Sequence, residues 1–158
     1  MSQYTLASQD IDANRRTINS NEAFASESTW TFVAATTGAV GSHTLFTVTG
    51  NVLVSVFGIV DTTITSGGAP TIEVGVTGNT AVLIAQGTAA NYADGDVYVD
   101  ATDTRVGAGT PPAMQAINDG LDVLLKITGA TLTAGVIDWY CLWRPLSSDA
   151  NITVTTPA

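Results

Sequence analysis

Few residues of this chain are of a type that could do chemistry. Asp94, Asp96, Asp100 and Asp103 lie close together in sequence. Calcium takes about six to eight oxygen ligands, and a glycine-hinged Asp94-Gly95-Asp96 could supply two of them. The required glycine and closing glutamate of the EF-hand loop are absent, so the expectation is a solvated acidic loop, independent of calcium, with no metal site. His43 is the only histidine. A Ser-His-Asp triad would need an activated serine near it, and no Gly-x-Ser-x-Gly elbow occurs; a turn or surface position just ahead of a strand is expected. Paired carboxylates for glycoside hydrolysis would have to come from Glu22, Glu27 and Glu73, the first two of them near the N-terminus. Asp138 is better placed, but on the solvated side of a strand. Cys141, the single cysteine, has no intramolecular partner and reads as a small buried apolar group. No motif for catalysis emerges, so neither an enzyme nor a cofactor is expected.

Aromatic side chains offer the remaining chemistry. Period two over Trp139-Tyr140-Cys141-Leu142-Trp143 puts both tryptophans and Cys141 on one face, with Asp138, Tyr140 and Leu142 on the other. With Trp30 these rings could form a platform for sugar stacking, the basis of a carbohydrate- or receptor-binding module. A chain that is only 7% aromatic needs its large rings inside, and core placement is the favoured reading.

The elements that must position these residues are strands. Twenty-five Thr, 16 Val and 15 Gly stand beside 12% charged residues, a composition of strands broken by turns. Trp30, Phe32 and Ala34 alternate with Thr31 and Val33; Phe46 and Val48 with Thr47 and Thr49; Ile72, Val74 and Val76 with Glu73 and Gly75. Leu121, Val123, Leu125 and Ile127 share one face. The run from Val52 to Val60 is apolar on both, with Val52, Val54, Val56 and Val60 on one side and Leu53, Phe57 and Ile59 on the other. That predicts a central strand, or one with a face against another subunit. Thr-Gly followed by Asn or Ala recurs at residues 49–51, 77–79 and 128–130 and predicts three tight hairpins. Pro111-Pro112 before Ala113, Met114, Ala116 and Ile117, with Gly120 after them, predicts a short helix. Only Val97-Tyr98-Val99 reads as strand within the long loop from Gly87 to Gly120. The expected fold is all-β: an antiparallel, jelly-roll-like β-sandwich of about eight strands, with an up-and-down barrel as alternative.

Residues 1–28 differ in kind, being rich in Ser, Asn, Gln and acids, with Leu6, Ile11, Ile18 and Phe24 spaced too widely for a strand face. This predicts an N-terminal extended arm over 1–28 ahead of a sandwich domain over 29–158. The arm is either solvated or docked on a partner, and it holds the adjacent cations Arg15 and Arg16. The net charge of −9 opposes binding to nucleic acid and anionic membranes. No apolar run approaches the roughly 20 residues of a membrane span, and no signal peptide is visible, so synthesis in a cytoplasm is expected. A hydrophobic fraction of 45% with so few charges points to a surface covered by other subunits. The expected oligomer interface is Val54, Val56 and Phe57.

The stretch from Gly41 to Val60, followed by Glu73-Val74-Gly75-Val76-Thr77-Gly78-Asn79, resembles small proteins encoded among the head genes of tailed bacteriophages, and over residues 30 to 145 the chain is similar to capsid decoration, or cement, proteins. The resemblance is one of Thr, Val, Ala and Gly texture with a polar arm, and carries over no functional residue. It implies a non-enzymatic virion protein, often a homotrimer, that binds the outside of the capsid. The implied partner is the major capsid protein, whose neighbouring subunits it clamps. Leu6, Ile11, Arg15, Arg16, Ile18 and Phe24 are the expected partner-binding residues.

Overall fold

In a computed structural model the chain is described over residues 23–101 and 107–156. Ten strands form: β1 (Phe24–Thr31), β2 (Gly41–Thr49), β3 (Val52–Ser66), β4 (Thr71–Val76), β5 (Asn79–Thr88), β6 (Val97–Tyr98), β7 (Gln115–Ile117), β8 (Val123–Thr128), β9 (Leu132–Pro145) and β10 (Asn151–Val154), with one 3-10 turn at Ala89–Asn91. They build two antiparallel sheets. The first has the order β1-β9-β3-β6, with β7 also on β3; the second runs β10-β2-β8-β4-β5.

The pairing shows how the chain is wound. β1 pairs β9, β2 pairs β8, β3 pairs β6 and β7, and β4 pairs β5. The chain is thus one long hairpin with its tip between β4 and β5, rolled so that successive strand pairs fall in alternate sheets. This is a jelly-roll sandwich with β10 added beside β2. Two separate sheets exclude the up-and-down barrel.

Rolling explains why one predicted hairpin forms and two do not. At Thr77-Gly78 the chain turns within one sheet, and Val76 faces Asn79. At Gly50 and Gly129 it leaves the second sheet for the first, because in a jelly roll only the tip joins neighbours of one sheet. All three glycines have positive φ, 65°, 85° and 80°, so the motif marks a reversal in left-handed backbone and leaves the partner open. Tertiary contacts distinguish them. The Gly50 amide donates to Asp119 at 2.8 Å and Asn51 N to Ser147 Oγ at 2.8 Å, whereas a Cβ on Gly129 would lie 2.5 Å from the Ala69 carbonyl oxygen.

The helix predicted after Pro111-Pro112 is also corrected. Residues before proline avoid helical backbone, and β3 has an open edge there. Gln115–Ile117 pairs with Val52–Val54 as β7, and the Pro112 carbonyl accepts the Ser55 hydroxyl at 2.6 Å. The arm boundary moves as well. β1 opens at Phe24 and pairs in unbroken register with β9 through Thr31, so residues 24–28 belong to the sheet.

The core fills the space between the sheets. From the first come Trp30, Val52, Val54, Val56, Val60, Ile137, Trp139, Cys141 and Trp143; from the second come Phe46, Val48, Ile72, Val74, Val123, Leu125 and Ile127. A bulge between Thr44 and Phe46 turns both Leu45 and Phe46 inward. Gly58 makes room for Trp139: a Cβ there would meet the Ile137 methyl at 2.8 Å and the indole at 3.1 Å.

Candidate functional site

From Val52 to Val60 the first sheet turns its even β3 positions to the core and its odd ones to the other side, where Ser55 is covered by the Pro112 segment. Cross-strand register then assembles the outer face in rows. Asp138 of β9 lies between Thr29 of β1 and Ile59 of β3; Tyr140 lies between Glu27 and Phe57; Leu142 lies between Ala25 and Ser55. The rings of Phe57 and Tyr140 stack at 5.3 Å with planes 17° apart. Val136 extends the apolar surface at one end, Leu53 lies beside Arg144 at the other, and Ile59 is 37% exposed.

Carboxylates border the aromatic pair. Thr29 Oγ1 donates to Asp138 at 2.7 Å. The Tyr140 phenol is held above its ordinary pKa, first by partial desolvation and then by the charge and hydrogen bond of Glu27 and the charge of Asp138. It therefore stays a neutral donor in an acidic rim. Such a face suits contact through rings and an apolar strip, with cations of a partner at the border.

The outer face of the second sheet is a network of hydroxyls and amides. Thr71 and Thr128 hydrogen-bond across strands, Thr80 donates to Glu73, and the Gln86 amide reaches both Glu73 and Thr128. Leu124 and Val82 are its apolar members.

The residues singled out from sequence separate accordingly. Trp30, Trp139 and Trp143 are buried, which removes the sugar platform: they face the other sheet. Val54 and Val56 are fully buried in the domain's own core, so of the three expected interface residues only Phe57 faces outward. Phe24 stacks on Trp143 at 4.7 Å and is anchored within its own domain. Leu6, Ile11, Arg15, Arg16 and Ile18 lie outside the described residues, as does Asp103.

His43 sits within β2, its Nε2 2.8 Å from the Ala39 carbonyl and its ring edge-on to Trp30, a structural position. Asp96 is 2% exposed. Its Oδ2 accepts the Ala93 amide at 2.8 Å, while its backbone joins the loop to Val60. Cys141 is buried, and desolvation pushes its thiol up to about 12. What sequence reasoning missed is Tyr140 with Glu27, since the two meet only through the β1–β9 register.

No protein-family model matches the chain, and no curated protein matches it. Among solved structures, a chain in the acidic stable capsid structure of Helicobacter pylori bacteriophage KHP30 superposes with a TM-score of 0.50, covering 84% of this chain and 94% of that one at 10% identity. At that identity the likeness is one of fold.

Proposed function

We propose that this chain is a non-enzymatic structural protein of a phage virion, one that binds the outer surface of the capsid and stabilises it by clamping neighbouring subunits of the major capsid protein. The observation that carries the reading is the shared fold: the likeness to a chain of a phage capsid structure spans 84% of this chain and 94% of that one. The outer face of the first sheet supports it, because an aromatic and apolar surface on an otherwise threonine-covered domain serves contact with another protein. The segment ahead of β1 supplies a second grip. It carries Leu6, Ile11 and Ile18 for separate pockets and Arg15-Arg16 for carboxylates on the coat.

The test is co-sedimentation with capsids assembled without this protein, comparing the full chain with a variant lacking residues 1–22. That truncation spares β1, which a deletion through residue 28 would destroy. The reading expects the full chain to bind at stoichiometric copy number and the truncated chain, still folded by circular dichroism, to bind at least ten-fold more weakly. Failure of the full chain to bind any shell surface overturns it.

A further inference from the structure

The outer face of the first sheet is closed on one side and open on the other. Beside β3 the Pro112 carbonyl accepts the Ser55 hydroxyl, so the stretch leading into β7 lies over that border. Beside β9 stands β1, which has no strand beyond it among the described residues. It carries Glu27 and Thr29 on this face, both exposed. The chain enters β1 at Phe24, opposite Trp143. Residues 1–22 therefore join the domain at a corner of the open side.

Charge selects what suits this face. Glu27 shares the Tyr140 row and Asp138 stands in the next, and neither row contains a cation. The chain has five cations in all. Lys126 is on the second sheet, opposite Glu73; Arg144 is beside Leu53 at the far end of the face; Arg105 falls between β6 and β7 in sequence. Arg15 and Arg16 remain. From Ala13 to Asn21 the sequence holds this pair and Ile18 with no acid, while Asp10, Asp12 and Glu22 lie outside that stretch. A second copy laid on the same rings would instead bring further carboxylates to the two already there, and like charges repel.

We infer that residues 1–22 dock on this face of their own chain, with Arg15 and Arg16 against Glu27 and Asp138 and Ile18 on the apolar strip. The reach is sufficient. The Tyr140–Phe57 row lies about 10 Å along β1 from Phe24 and about 10 Å across the sheet to β3, whereas the chain from Arg16 to Phe24 extends to about 26 Å. Guanidinium–carboxylate hydrogen bonds fix the segment, and it shields rings and aliphatic groups that otherwise meet water. On the capsid reading the coat displaces the segment, which frees both the face and the segment for the shell. The docking itself is measured in the free protein and stands apart from that reading.

The experiment places a nitroxide on Asn14→Cys in the full chain. Cys141 does not compete for the label, being buried with its thiol pushed up to about 12. Paramagnetic broadening of methyl resonances then reports which face the segment meets. Leu142 and Ile59 on the first sheet should lose most of their intensity, while Leu124 and Val82 on the second keep theirs. Glu27→Gln combined with Asp138→Asn removes both charges from the face and should restore the Leu142 and Ile59 signals. Broadening on neither face, equal broadening of both, or broadening that survives the double change overturns the proposal.

Mixing nitroxide-bearing chain at natural isotope abundance with isotope-labelled chain that lacks the nitroxide identifies whose segment is docked. All four methyl signals should stay sharp in the mixture. Broadening of Leu142 and Ile59 there would give the face to the segment of a second copy and overturn the proposal as well.

Discussion

The outer faces of the two sheets differ although their inner faces do not. Both inner faces are alternating aliphatic and aromatic surfaces, and folding needs nothing more. Outside, the second sheet carries Thr71, Glu73, Lys126, Thr128 and Gln86, the polar half expected of a sheet that meets water. The first carries Phe57, Tyr140, Leu142 and Ile59. An apolar outer face adds nothing to a two-layer core, and it is this surface that the proposed contact with another protein would use. On that proposal the half-buried Phe57, Tyr140 and Leu142 serve binding rather than stability.

The comparison can be broken first at the interior, where the sheets should behave alike. Trp139→Ala in the first sheet and Phe46→Ala in the second should each cost about 3–5 kcal/mol, a fall of roughly 10 °C in Tm, read by calorimetry. A small effect in one sheet alone would show that the two inner faces are not equivalent.

Alkaline pH probes the same interior through Cys141. Its thiol is pushed up to about 12 in the folded chain by burial, against an ordinary value of about 8.5 when unfolded. The folded state therefore holds its proton more tightly. The resulting stability is whole below the unfolded pKa and is lost at up to about 1.4 kcal/mol per pH unit as pH rises toward the folded value. Cys141→Ala should flatten that part of the stability profile, measured by urea unfolding, and the native thiol should resist alkylation at pH 8.

A smaller effect separates the turns. Gly129→Ala meets the Ala69 carbonyl as well as an unfavourable φ, while at Gly78 a Cβ finds nothing within 4 Å. Gly78→Ala should cost about 1 kcal/mol and Gly129→Ala about twice that or more; equal losses would remove the contact as the cause.

These turns also show what was legible in the sequence. Alternation gave the strand faces, down to Val52, Val54, Val56 and Val60 inside and Phe57 outside, because period two is local. The recurring Thr-Gly gave the reversals for the same reason. Which strand lies across a reversal depends on how the roll closes, and the sequence around Gly50 or Gly129 does not encode that locally. Tyr140 and Glu27 were illegible as a pair because their meeting depends on register between strands more than a hundred residues apart. The Ala113–Ile117 segment misled because helix formers there yield to the open edge of β3.

The smallest expected effect on stability accompanies the most informative experiment. Phe57→Ser with Tyr140→Ser on the first sheet, and Glu73→Ser with Lys126→Ser on the second, should each shift Tm by only a few degrees, since all four side chains lie outside the core. Co-sedimentation with capsids lacking this protein then compares the two faces directly. The account predicts that the first pair lowers binding at least ten-fold while the second binds as the unaltered chain does. Equal binding by both variants, or a loss confined to the second sheet, would contradict it.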